Sequence, residues 1–151
     1  MTTTASAFSR DANRVPIWSK GIIVSKTITY VAATTGAIAS STLFTVTGDV
    51  MVNLFAVCST SLNSGGAATI EAGIVGNTAS LLAQTTATNI DGGHVWVDST
   101  PATVEAEPTW KIFTNGTDIT QDIASATLTA GVLTYYCLWV PLSANGDVVA
   151  A

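Results

Sequence analysis

"LTYYCLWVPL", residues 133–142, is the stretch on which the fold turns. Side chains alternate along an extended strand, so Leu133, Tyr135, Cys137 and Trp139 leave one face while Tyr136, Leu138 and Val140 leave the other. Both faces are apolar, and such a strand needs cover on two sides. Either an opposing sheet and sibling copies of the chain supply that cover, or a larger assembly does.

Working outward, the rest of the chain repeats the strand pattern. Thr occurs 25 times, alongside many Val and Ile, in short runs bounded by Gly, Asn, Asp and Pro, the composition of β-strands separated by turns. No long window shows helical spacing. Ala is abundant, but in "YVAATTGAIASST" (residues 30–42) it lies among Thr and Gly, where tertiary context overrides its helix propensity. The pattern predicts strands over 21–31, 43–47, 50–59, 68–75, 80–84, 94–98, 110–114, 119–130 in one or two pieces, and 132–142. Between them, "TGDV" (47–50), "NSGG" (63–66), "DGG" (91–93) and two "NG" pairs (115–116 and 145–146) supply residues that tolerate positive φ. The expected fold class is all-β, a two-sheet β-sandwich or jelly roll formed by one domain over residues 20–151.

Residues 1–19 differ. They are polar, show no alternation, and contain "RVPIW" (14–18), in which Pro16 holds Val15 extended and removes a backbone donor. The reading is an extended N-terminal arm. Phe8, Ile17 and Trp18 have nothing within the arm to bury against, so they must meet the body, a neighbour or a partner. The candidate partner-contact residues are therefore Arg10, Arg14, Ile17 and Trp18.

Charge divides the same way. The net charge is −5, yet residues 1–48 carry Arg10, Arg14, Lys20 and Lys26 against Asp11 alone, while residues 49–151 carry Lys111 against nine carboxylates. A basic leading segment on an acidic body suits docking on an acidic protein surface, a neighbouring copy included, although scattered solvated charges give the same split. Four spaced charges without an interleaved set of base-stacking aromatics make a thin footprint for nucleic acid, and no nucleic-acid partner is expected. The chain is 48% hydrophobic and 10% charged, but no apolar run approaches the ~18 residues of a spanning helix, so no membrane partner is expected either. "MTTTASAFSRDANR" has neither the basic start nor the apolar middle of a secretory signal, so the chain is expected to fold in the reducing compartment where it is made.

Chemistry leaves few traces. The single histidine, His94, follows a turn and precedes "VWVD". With Asp91 and Asp98 but no second His or Cys at ligand spacing, it reads as a loop histidine bonded to its own turn, and no metal site is assigned. No Gly-x-Ser-x-Gly elbow or Cys-His signature is present. Glu105 and Glu107 would stand about 6.6 Å apart on one face of an extended segment, near the spacing of glycosidase carboxylates. Pro101 and Pro108 flank them, however, which points to an exposed loop. Cys58 and Cys137 each lie in an apolar run and read as buried free thiols. "NSGGAATI" (63–70) lacks the Lys-Ser/Thr of a phosphate loop and reads as a hairpin. Of the four tryptophans, Trp96 and Trp139 read as buried in a core or an interface, and Trp18 and Trp110 as candidates for surface contact. No catalytic residue and no cofactor is assigned, and the chain reads as a non-enzyme.

Three longer stretches carry a resemblance: "SAFSRDANRVPIWSKGIIVSKTITY" (6–30), "GAATIEAGIVGNTASLLAQTTATNIDGG" (66–93) and "YYCLWVPLSANGDVVAA" (135–151). They resemble small virion proteins of tailed bacteriophages, in particular capsid decoration, or cement, proteins. That resemblance implies a homotrimer of sandwich or jelly-roll subunits on the capsid surface. Each would clamp neighbouring subunits of the major capsid protein after synthesis in the bacterial cytoplasm. A tail or fibre component binding host-surface carbohydrate is the alternative it leaves open.

Overall fold

Residues 21–151 are described by a computed structural model, in which the sequence alternation becomes ten strands. In chain order they are β1 (Ile22–Thr29), β2 (Ala39–Thr47), β3 (Val50–Ser64), β4 (Thr69–Ile74), β5 (Asn77–Thr86), β6 (Val95–Trp96), β7 (Lys111–Phe113), β8 (Ile119–Ala124), β9 (Leu128–Pro141) and β10 (Asp147–Ala150). One 3-10 turn, Ala87–Asn89, follows β5. Among the described residues no helix is long and apolar enough to cross a membrane.

The strands form two antiparallel five-stranded sheets. The first runs β1-β9-β3-β6, with β7 pairing β3 further along, and the second runs β10-β2-β8-β4-β5. The pairing is nested: β1 with β9, β2 with β8, β3 with β6 and β7, and β4 with β5. The chain is thus one long hairpin wrapped over itself, which is the jelly-roll order, with β10 added beside β2. The expected sandwich is therefore present in its wrapped form.

The differences from expectation lie at strand ends. The expected strand over 119–130 splits at Ser125, whose φ of 68° breaks the extended run, and residues from Leu128 onward belong to β9. β3 continues past residue 59 to Ser64 because β9 keeps pairing with it through register shifts. At Gly131, φ is 122° and a Cβ would strike Leu62, so the two long strands bend past each other only with glycine there. β10 was not expected. It is four residues long, and only Val148 faces inward, opposite Val46.

The core fills the space between the sheets. From β9 come Leu133, Tyr135, Cys137 and Trp139, from β3 Val50, Val52, Leu54, Ala56 and Cys58, and from the second sheet Phe44, Ile70, Leu82, Ile119 and Ile123, all buried. Trp96 is fully buried and meets the Tyr135 ring edge-on at 6.3 Å, a favoured aromatic geometry. One polar network interrupts this apolar layer. The hydroxyls of Tyr30 and Tyr135 each donate to Gln121 Oε1 at 2.8 Å, and the two hydroxyls stand 3.2 Å apart. Gln121, on β8, is thereby the shared acceptor joining the two sheets.

That sharing sets an order of stability. Tyr30→Phe removes one donor and is expected to cost about 1 kcal/mol. Gln121→Ala strands two buried hydroxyls and opens space, so it is expected to cost about 3 kcal/mol or more. Urea unfolding of the two variants beside the native chain measures the difference, and equal midpoints would remove Gln121 from the central role given to it here.

Candidate functional site

The outward faces of the two sheets differ in chemistry. On the first sheet, β9 turns Tyr136, Leu138 and Val140 away from the core, and the register sets them opposite Phe55, Asn53 and Met51 of β3. Ile23 of β1 lies opposite Leu138, and Ile112 of β7 lies opposite Met51. The Phe55 and Tyr136 rings stack at 5.2 Å and 17°. Apart from Asn53 these outward side chains are apolar, and the face is open at its margins, where Ile23 is 61% and Ile112 69% exposed.

Part of the cover that the 133–142 stretch requires comes from the chain itself. The irregular segment between β6 and β7 leans over β3, so that Asn53 Nδ2 donates to the Pro108 carbonyl at 2.7 Å and Asn53 is buried. Trp110, at the end of that segment, brings its ring tip against Gly21. Glu105 and Glu107 ride on the same segment, half-buried and exposed respectively. The face is thus an apolar patch with carboxylates beside it.

The second sheet turns out polar groups. Glu71 of β4 and Asp122 of β8 are direct neighbours in register, with Thr120 beside Gly73. Glu71 accepts from Thr78 Oγ1 and, at 3.0 Å, from Gln84 Nε2, bonds that offset the repulsion of two carboxylates facing each other across a ladder. Thr45 and Thr47 of β2 are exposed on this sheet. A surface of hydroxyls and acids is a surface suited to water.

The single-residue candidates resolve individually. His94 is bonded within its own turn: the Asp91 amide donates to its Nδ1 at 3.2 Å, and its own amide donates to the Asp91 carbonyl. Asp98 accepts instead from the Thr100 amide. Among the described residues no three His, Cys, Asp or Glu side chains converge as metal ligands. Trp96 and Trp139 are buried in the core, as their strand context indicates. Asp118 accepts from the Val46 amide, and Asp49 from the Asn115 amide, so these acids tie loops together. Arg10, Arg14, Ile17 and Trp18 lie outside the described residues. Sequence reasoning missed Ile23, Phe55 and Ile112 as surface groups, because each sits in a run that reads equally well as core.

Among the described residues, two of the clefts bear on the question of a binding site. One of about 270 Å³ opens between β1 and β2, where Lys26, Thr29, Ser41 and Gln121 line it. There the Lys26 ammonium donates to the Thr42 and Ala151 carbonyls, at 2.8 and 2.7 Å, and so spans the two sheets. The other, about 260 Å³, lies between Lys111, Ile112 and Phe113 of β7 and Ile74 and Ser80. Both are smaller than the usual range of small-molecule sites. No family model, curated protein or solved structure matches the chain.

Cys58 and Cys137 are free and buried on the inward face of the first sheet. Burial pushes the Cys137 thiol up from 9.0 to about 12 and raises that of Cys58 as well. Above about pH 9 the unfolded chain loses thiol protons that the folded chain keeps, so it binds fewer protons and stability falls as pH rises. Below that pH these thiols leave stability unchanged. Urea midpoints measured from pH 8 to 11 are expected to fall, and Cys137→Ala, although less stable at pH 8, is expected to fall less steeply. An unchanged slope in that variant would remove the thiol as the cause.

Proposed function

We propose that this protein is a structural component of a bacteriophage virion, a capsid decoration protein that attaches as a homotrimer to the shell of major capsid protein. The observation that carries the reading is the chemical contrast between the two outer sheet faces. One presents Ile23, Phe55, Tyr136 and Ile112, and the other presents Thr45, Thr47, Glu71 and Asp122. A protein that coats a large assembly needs one side to adhere and one side to meet solvent. A standard interface buries about 800 Å² on each partner. Symmetric copies then multiply weak single contacts through avidity.

The jelly-roll order agrees with this reading by analogy only, since the same architecture serves viral capsids, lectins and other proteins. In the proposed attachment Arg10, Arg14, Ile17 and Trp18, which precede β1 in the sequence, contribute partner contacts. Their positive charge suits an acidic seam between shell subunits.

Mixing the purified protein with expanded empty phage heads and sedimenting the particles tests the proposal. Stoichiometric binding is the expected outcome. Ile23→Lys with Ile112→Lys is expected to keep the fold, since both side chains are exposed, and to weaken binding about tenfold or more. Deleting residues 1–19 is expected to weaken it as well, and equal affinity after truncation would reject the arm as a contact. A protein that ignores heads but binds host cells or their glycans would be a tail or fibre component instead.

A further inference from the structure

Each sheet has two outer edges, and three of the four are blunt. β10 is four residues long, β6 and β7 are two and three, and β5 loses its register with β4 in two places. Short or bulged edges resist pairing with another chain. β1 has neither protection: it is eight residues long, and it pairs with β9 without a register shift. Lysine on an edge strand is a further deterrent, but the Lys26 ammonium is turned across the sandwich opening to the Thr42 and Ala151 carbonyls.

Register also fixes which backbone groups of β1 are turned outward. The Tyr30 amide donates to the Gly131 carbonyl, one step beyond Thr29 opposite Val132. In an antiparallel ladder such bonded pairs alternate with non-bonded ones. Val24, Lys26 and Ile28 therefore bond to β9, while Ile23, Ser25, Thr27 and Thr29 turn their N–H and C=O groups to the edge. The Thr35 hydroxyl donates to the Thr29 carbonyl at 2.6 Å and closes that end. At the other end the chain turns at Gly21, where φ is +77°. Among the described residues no backbone group meets Ile23, Ser25 or Thr27 on this side. The open stretch thus runs from Ile23 to Thr27, with Ser25 at its centre.

That stretch complements itself. Laid antiparallel on a second copy about a two-fold axis at Ser25, it sets Ser25 opposite Ser25, Ile23 opposite Thr27 and Val24 opposite Lys26. β-branched residues suit such a ladder, and no like charges stand directly opposite. Three bonded pairs with two bonds each give about six backbone hydrogen bonds. A foreign strand would have to match this register, whereas a copy matches it by symmetry.

We propose that β1 pairs edge to edge with β1 of a second copy, antiparallel about Ser25, so that two five-stranded first sheets join into one. The backbone makes this contact and the outward side chains stay where they are, so the apolar faces of the two copies come to lie side by side. A two-fold contact cannot close a trimer; on a decorated shell it joins copies that belong to neighbouring trimers. The pairing itself does not rest on attachment to a shell.

Sedimentation and hydrogen exchange of the isolated full-length chain test the proposal without phage heads. Where the native chain is paired, the Ile23, Ser25 and Thr27 amides are expected to exchange about tenfold or more slowly than on dilution. Ser25→Pro removes one outward donor from each copy and no bond to β9, a position at which an edge strand tolerates proline. It is expected to leave the β9 amides protected, to raise the dissociation constant about tenfold or more, and so to sediment as the smaller unit where the native chain is paired. Val24→Pro, one residue away, removes a bond to β9 and is expected to disrupt β1 itself. Equal mass for the native chain and Ser25→Pro at every concentration would overturn the proposal. Protection of the three amides that does not change with concentration and is lost on deletion of residues 1–19 would assign the edge to the chain's own leading segment and overturn it equally.

Discussion

The antiparallel ladder between β3 and β9 is the constraint from which the rest follows. It runs from Val50 opposite Pro141 to Ser64 opposite Leu128, and these are the two longest strands of the fold. Because side chains alternate, one register fixes two surfaces at once. Inward it stacks Leu133, Tyr135, Cys137 and Trp139 beside Val52, Leu54, Ala56 and Cys58 to make the core. Outward it sets Tyr136 on Phe55 and begins the apolar face. A slip of one residue would exchange the two sets, and the burial of the inward set makes that slip costly.

The same ladder explains the division of labour between the sheets. β1 and β7 attach on either side of it and contribute Ile23 and Ile112 to the outer face. The second sheet shares only the inner core and is free to carry threonines and carboxylates outward. The polar link between the sheets is local: Gln121 accepts from tyrosines at 30 and 135, and Lys26 reaches the Thr42 carbonyl. Such a link is a directional tie within a layer otherwise held by non-directional burial. The sidedness that supports an attachment role is thus a by-product of how one central pair is flanked.

Parts of the candidate surface were readable from residues and parts were not. The two apolar faces of 133–142 announced that something must cover the outer one. That a loop ending in Pro108 and Trp110 does part of this was not readable, because the bond from Asn53 to Pro108 joins residues 55 apart. His94 was readable, since a histidine directly after Asp-Gly-Gly bonds its own turn. The pair Glu105 and Glu107 was readable as a loop pair from its flanking prolines, and neither residue lies in a strand.

By itself, the sequence determined the all-β class, most strand positions, the turns, and the inward destinations of Trp96, Trp139 and both cysteines. These depend on alternation and turn chemistry, which act over a few neighbouring residues. Tertiary structure alone decided the nested order of pairing, the short strand β10, the Tyr30–Gln121–Tyr135 network and the assembly of Ile23, Phe55, Tyr136 and Ile112 into one face. Each of these joins residues far apart in the chain, and the free energy that selects them comes from burial and hydrogen bonds that exist only once the strands have met.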